Sequence, residues 1–152
     1  MAQYATTVEA QTYFDGKLHI SAWVEADEDQ RNRALREATI RIDQLVFRGA
    51  RTDDAQDLEW PRINTIYADD VIPQRVKDAV CEIAYALLDG FEPELDTESL
   101  AVTSEGYSAA RTTYDRVSVP EHFAAGIPSA LAWKYLKPLL GDVRGIKLSR
   151  VS

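Results

Sequence analysis

Two segments of this chain have apolar residues at the spacing of an amphipathic helix, and they constrain the fold more than any other feature. Each segment has four apolar positions three or four residues apart: Leu35, Ala38, Ile42 and Leu45 in the first, and Val76, Val80, Ile83 and Leu87 in the second. We expect one helix over about residues 28–47, capped by Asp27, and another that begins at Pro73 and ends before Gly90. The pattern favours a mainly α fold.

The connector between these two helices is acidic and rich in turn-forming residues, and it contains the dipeptide Trp60-Pro61. A tryptophan between two amphipathic helices is typical of a packing residue that fills the gap between them. Pro61 and Pro73 reduce the conformational freedom of the unfolded connector. We therefore predict that Trp60, Pro61 and Pro73 anchor the loop; the alternative is that Trp60 stacks on a ligand.

The remaining elements complete a small bundle of about four helices. Thr6 and Glu9 have the spacing of a capping box, which predicts a first helix over about residues 7–15. Residues 99–117 are rich in Val, Thr and Tyr around a Glu-Gly turn, which predicts a β-hairpin inserted before the last helix. We expect a helical domain over residues 1–140, followed by an extended C-terminal tail over residues 141–152.

The last predicted helix, which begins at Pro128, has apolar residues around most of its circumference. A single small core does not easily bury such a helix, so we expect part of it to contact another subunit. The residues assigned to that subunit interface are Trp133, Tyr135 and Leu136.

Charge is unevenly distributed between the body and the tail. The chain has 17 basic and 25 acidic residues, and residues 133–152 hold five of the basic ones but a single acidic one, Asp142. Residues 1–132 are therefore strongly acidic, which disfavours general nucleic-acid binding by the body. The tail is basic and alternates apolar and polar residues, which predicts a docking arm that orders on a partner. The alternative is a disordered chain end. The arm residues are Arg144, Ile146, Lys147, Leu148, Arg150 and Val151.

Residues that carry chemistry are few. We find no metal-ligand spacing around His19 or His122, no phosphate-binding loop and no nucleophile motif, so the sequence predicts no enzyme activity, no catalytic or metal site and no cofactor. The single Cys81 excludes an intrachain disulfide. There is no signal-peptide pattern and no apolar run long enough for a membrane span, so we expect an intracellular protein without a membrane partner.

Three stretches together resemble a known family. They are AQTYFDGKLHISAW, ALREATIRIDQLVFRGARTDDAQDLEWPR and VIPQRVKDAVCEIAYALLDG. In order and spacing they are similar to small phage proteins grouped as DnaT-like single-strand-binding proteins, which look like head-tail connectors, or adaptors, of tailed bacteriophages.

This resemblance implies a structural virion protein at the neck of the particle, assembled in the host cytoplasm. Such a protein forms a homo-oligomeric ring, a dodecamer, beneath the portal protein and above a downstream tail or neck protein. Packaged double-stranded DNA passes through the ring without specific binding, and an acidic channel suits that passage. The docking arm is then expected to bind the portal.

The alternative interpretation is a single-stranded DNA-binding protein, as the group's name suggests. That function needs a basic groove with aromatic side chains on which bases stack. The first amphipathic helix and the segment before it supply candidate residues, although the net charge of −8 opposes the interpretation. The candidates are Trp23, Arg31, Arg33, Arg36 and Arg41.

Overall fold

The computed structural model describes residues 2–92, 94 and 120–141, and these residues are mainly helical. The helices, in chain order, are α1 (Thr7–Asp15), α2 (Ser21–Glu25), α3 (Glu28–Asp43), α4 (Gln74–Leu88), α5 (Glu121–Ala124) and α6 (Ala130–Leu136). A 3₁₀ turn, Lys137–Leu139, follows α6. The predicted mainly α class is confirmed, whereas the hairpin predicted at 99–117 and the tail after Gly141 lie outside the described residues.

The helices begin where the sequence places their caps. Thr6 Oγ1 accepts a hydrogen bond from the Glu9 amide at 3.2 Å, and Glu9 Oε2 accepts one from the Thr6 amide at 2.8 Å. Asp27 caps α3 by accepting from the Gln30 amide at 2.8 Å. Pro73 stands at the N-cap of α4, where its missing N–H costs nothing. The expected starts of α1, α3 and α4 are confirmed.

The end of α3 differs from the prediction. The helix stops at Asp43 rather than near residue 47. Phe47 instead forms an antiparallel bridge with Leu140, and the Arg48 amide donates to the Leu139 carbonyl at 3.0 Å. A tertiary pairing with the chain after α6 therefore replaces the last turn that the local apolar pattern suggested.

The connector contains an antiparallel pair that the sequence did not predict. Strands β1 (Ala50–Arg51) and β2 (Arg62–Ile63) pair with Ala50 opposite Ile63. Gly49 has φ +77°, and a Cβ there would lie 2.1 Å from the Ile63 carbonyl oxygen. A glycine is thus required for the close approach of the two strands.

The core lies where α4 packs against α3 and α6. Its central side chains come from the two predicted apolar stripes and are essentially inaccessible: Leu35, Ala38, Ile42, Val76, Val80 and Ile83. Burial of a large aliphatic side chain contributes about 1.5–3 kcal/mol, so these stripes supply much of the driving force for folding. Trp23, in the unpredicted helix α2, is also fully buried.

Helix α6 packs most of its apolar side chains against this same core. Leu136 is 0% exposed within one chain, so its assignment to a subunit interface is corrected: packing against the chain's own helices already accounts for it. Trp133 and Tyr135 are half-buried against the core. An interface between subunits at these two residues stays a prediction.

Cys81 is a buried thiol on α4. Burial raises the pKa of this thiol to about 12, which keeps it protonated at neutral pH. Within the described ranges, no helix has the length and apolar character of a membrane span.

Candidate nucleic-acid interface

Trp60 organises the connector between α3 and α4. Its side chain is 1% exposed and lies edge-to-face with Phe47 and Tyr67, with ring centroids 5.6 and 6.1 Å away. The Trp60–Pro61 peptide bond is cis, and Pro73 is fully buried at the start of α4. The structure thus places Trp60 as a packing residue and not as an exposed platform for a base.

A second set of contacts ties the connector to α3 and to the N-terminal segment. Tyr4 donates its hydroxyl hydrogen to Asp43 and accepts a hydrogen bond from the Trp60 amide at 3.1 Å. Asp43 also accepts from the Glu59 amide at 3.4 Å. Burial raises the pKa of both the Tyr4 phenol and the Asp43 carboxyl. The connector is therefore a fixed part of the domain.

The buried side chain of Arg62 forms hydrogen bonds with backbone carbonyls at several points of the connector. This side chain is only 6% exposed, and its Nε donates to the Arg48 carbonyl at 2.8 Å. Its two Nη atoms donate to the carbonyls of Gly49 at 2.9 Å and Glu59 at 3.1 Å, and to the Glu59 carboxylate at 3.2 Å. One guanidinium therefore fixes both ends of the β1–β2 pair.

The folded connector leaves a cleft of about 250 Å³ against the chain that follows α6. Two arginines, four polar or aromatic connector residues and three apolar residues line this space: Arg48, Trp60, Asn64, Thr65, Ile66, Tyr67, Arg75, Pro138 and Leu139. We call it the Arg48–Arg75 cleft. Although the chain carries a net charge of −8, none of the described residues that line the cleft is a carboxylate.

The two arginines of the cleft are not neutralised by acidic side chains. In the described part of the chain neither forms an ion pair, whereas most of the other basic side chains do. Arg48 Nε donates to the Leu140 carbonyl at 2.9 Å, and Arg75 has no hydrogen-bond partner among the described residues. Arg75 Nε and Trp60 Nε1 are buried donors for which the described residues supply no acceptor. The cleft therefore has an excess of donors and positive charge, which suits an anionic ligand.

Two other cavities are lined by acidic side chains. Glu25 and Asp89 line one of about 360 Å³, and Asp43 and Asp57 line another of about 560 Å³. Paired carboxylates repel a phosphate group. No group of three metal-ligating side chains is found within the described ranges. Of these three cavities, the Arg48–Arg75 cleft is the one whose charge suits nucleic acid.

The basic residues that the sequence suggested for DNA binding do not form a groove. Trp23 is fully buried, and its indole N–H donates to Gln11 at 2.9 Å, while the Arg31 guanidinium covers its ring at 4.9 Å. Arg33 pairs with Asp29.

Farther along α3, Arg41 is held by acidic partners as well. Its Nη atoms lie 3.3 Å from the Glu37 carboxylate and 2.9 Å from that of Glu94. The covered ring of Trp23 and the neutralised guanidinium groups of Arg33 and Arg41 weigh against a DNA site on α3. Arg31 and Arg36 form no ion pair among the described residues.

The Arg48–Arg75 cleft was missed because its parts are far apart in the sequence. Arg48 follows α3, Tyr67 lies in the connector and Arg75 lies in the first turn of α4. The residues predicted as a docking arm lie outside the described residues: Arg144, Ile146, Lys147, Leu148, Arg150 and Val151. The last described residue, Gly141, donates its amide to the Val46 carbonyl at 2.9 Å.

Comparison with known proteins gives one match. A family model described as "Putative DnaT-like ssDNA binding protein" matches residues 2–151. Neither a curated protein nor a solved structure matches the chain. The family description names single-stranded DNA binding and says nothing of a virion, a ring or a portal. The expectation of a bacteriophage head-tail connector is therefore wrong, and the finding favours the alternative interpretation.

Proposed function

The chain belongs to the family of DnaT-like single-strand-binding proteins, and from this premise we propose that it binds single-stranded DNA at the Arg48–Arg75 cleft. One observation carries the proposal: two arginines line a cleft beside an aromatic ring, and in the part of the chain that the structure describes they have no acidic partner and share the cleft with no carboxylate. Proteins that bind single strands without sequence preference combine basic and aromatic side chains in this way.

Each part of the cleft has a defined role in this proposal. The guanidinium groups of Arg48 and Arg75 bind backbone phosphates, for which their planar donor arrays are well suited. Tyr67 is half-buried and Ile66 is 93% exposed, so together they offer an apolar contact to one base at the edge of the cleft. Asn64 and Thr65 are polar lining residues within reach of a sugar or a base edge.

The size of the cleft favours a short contact. Its volume of about 250 Å³ lies just below the range of about 300–1,000 Å³ typical of small-molecule pockets. It therefore fits about one nucleotide rather than a long stretch of strand. Most contacts are to the phosphate and to the face of a base, so we expect little sequence preference.

The acidic body limits the affinity but does not prevent binding. Charges on the protein surface are screened over about 8 Å at physiological ionic strength, so distant carboxylates act weakly on a phosphate in the cleft. Few phosphate contacts and an opposing net charge predict weak binding, with a Kd on the order of micromolar.

Removing the two cleft arginines tests the proposal. We expect Arg48→Gln combined with Arg75→Gln to weaken binding to a fluorescent oligothymidine at least about tenfold, because a hydrogen bond to a charged group is worth about 1.5–3 kcal/mol. Fluorescence anisotropy measures the affinity, and thermal denaturation verifies that the variant is folded.

Arg33→Gln combined with Lys134→Gln is the matched control. Arg33 and Lys134 are exposed residues that do not line the cleft, so these changes remove the same two positive charges from other surfaces. Equal affinity of the cleft double variant and the wild-type protein would exclude the cleft as the binding site.

A further inference from the structure

The cavity lined by Asp43 and Asp57 has the features of a docking site for a basic, apolar segment. It measures about 560 Å³ and lies beside the C-terminal end of α3. Two carboxylates, Asp43 and Asp57, share its wall with the apolar side chains of Ile40 and Leu58. We call it the Asp43–Asp57 cavity. Its charge excludes the ligand proposed for the Arg48–Arg75 cleft, so any occupant has a different chemistry.

Part of this cavity has surface available for an additional contact. Ile40 is 44% exposed, which leaves apolar surface on an otherwise well-packed helix. Asp57 is exposed and forms no ion pair in the described part of the chain. Asp43, in contrast, accepts hydrogen bonds from the Tyr4 hydroxyl and the Glu59 amide. An occupant with both apolar and basic side chains would satisfy both kinds of surface.

The path of the chain after α6 leads toward this cavity. Leu140 pairs antiparallel with Phe47, and the next residue, Gly141, donates its amide to the Val46 carbonyl at 2.9 Å. The chain thus runs alongside residues 47 and 46 in the direction of Gln44. Gln44 lines the Asp43–Asp57 cavity, so two further residues in the same direction bring the chain to its edge.

Residues 142–152, which follow Gly141, have the basic and apolar side chains that this cavity would accommodate. Residues 142–152 contain three basic side chains, Arg144, Lys147 and Arg150, and one acidic side chain. Ile146 and Leu148 alternate with polar residues, which places them on one side of an extended segment. Ile146 follows Gly141 by five residues, a distance of up to about 18 Å in an extended chain, so it can reach the cavity.

We propose that residues 142–152 dock in the Asp43–Asp57 cavity of their own chain, with Ile146 and Leu148 against Ile40 and Leu58 and with basic side chains near Asp57. This interaction goes beyond DNA binding and does not depend on it. Attachment to Gly141 gives the segment a high effective concentration at the cavity, so a weak contact is sufficient. The same tether favours the chain's own tail over that of a second copy.

A spin label on the tail tests this docking in the full-length protein. The label is attached through Ser149→Cys, and the native Cys81 does not compete because it is buried with a pKa raised to about 12. We expect paramagnetic broadening of the amide signals of Ile40, Gln44 and Leu58. No broadening at these positions would overturn the proposal.

A mixed sample identifies which chain provides the tail. Spin-labelled protein without ¹⁵N is combined with ¹⁵N-labelled protein without a spin label. We expect the ¹⁵N signals to stay sharp in the mixture. Broadening at Ile40, Gln44 and Leu58 in the mixture would overturn docking within one chain and would show that the tail binds a second copy.

Charge reversal at Asp57 provides the second measurement. Asp57→Lys should remove the broadening at Ile40 and Leu58, because it places a like charge beside the basic tail. Asp54→Lys is the matched control, since it makes the same change in the same exposed connector outside the cavity. An equal loss of broadening in the two variants would contradict a specific site at Asp57. Binding of oligothymidine, measured in parallel, reports separately on the Arg48–Arg75 cleft.

Discussion

Replacing Trp60 with alanine is expected to lower the free energy of unfolding by about 3–5 kcal/mol, the usual cost of removing a fully buried large aromatic side chain. The indole is 1% exposed and packs edge-to-face against Phe47 and Tyr67, so its removal leaves these two rings without their shared packing partner. Urea denaturation followed by circular dichroism measures the change.

Two variants separate the packing of Trp60 from its polar group. Trp60→Phe should cost much less than Trp60→Ala, because it keeps an aromatic ring and because the indole N–H has no acceptor in the described part of the chain. Trp133→Ala should also cost less, since Trp133 is only half-buried. A loss below about 1 kcal/mol for Trp60→Ala would show that the connector does not depend on this anchor.

Arg62→Ala is the second change with a large expected effect. We expect a loss of about 2–4 kcal/mol in the free energy of unfolding, because the carbonyls of Arg48, Gly49 and Glu59 lose their charged donor inside the protein. Arg62→Lys should recover only part of it, since one ammonium group cannot reproduce the fork of the guanidinium. The same urea titration gives the values.

Arg51→Ala serves as the comparison for Arg62. Arg51 approaches the same Glu59 carboxylate at 3.7 Å, but its side chain is 38% exposed. A surface ion pair of this kind contributes about 0–1 kcal/mol, so the variant should be nearly as stable as the wild-type protein. Similar losses of unfolding free energy for Arg51→Ala and Arg62→Ala would contradict the claim that the buried hydrogen bonds of Arg62 stabilise the connector.

Local sequence signals were sufficient where a helix depends on its own residues. The capping box of Thr6 and Glu9, the cap Asp27 and the two apolar stripes predicted the starts of α1, α3 and α4 because these contacts span only a few residues. The end of α3 was misplaced because it depends on Phe47 pairing with Leu140, a partner 93 residues away.

The Arg48–Arg75 cleft required tertiary information. Arginines on α3 suggested a basic patch, yet helical spacing pairs Arg33 with Asp29 and Arg41 with Glu37, and the fold adds Glu94 beside Arg41. Arg48 and Arg75 carry no comparable pattern in the sequence. They line one cleft because the folding of the connector around Trp60 brings the two ends of that connector together.

Binding of the wild-type protein to single-stranded and double-stranded DNA, titrated across a range of salt concentrations, tests the central claim most directly. With contacts to about two phosphates, we expect the logarithm of the association constant for oligothymidine to fall with the logarithm of salt concentration at a slope of about −1.4. Binding to a duplex of equal length should be weaker, because paired bases cannot contact Tyr67 and Ile66. Undetectable binding to oligothymidine at low salt, or equal affinity for the duplex, would contradict the assignment of this protein as a single-strand-binding protein.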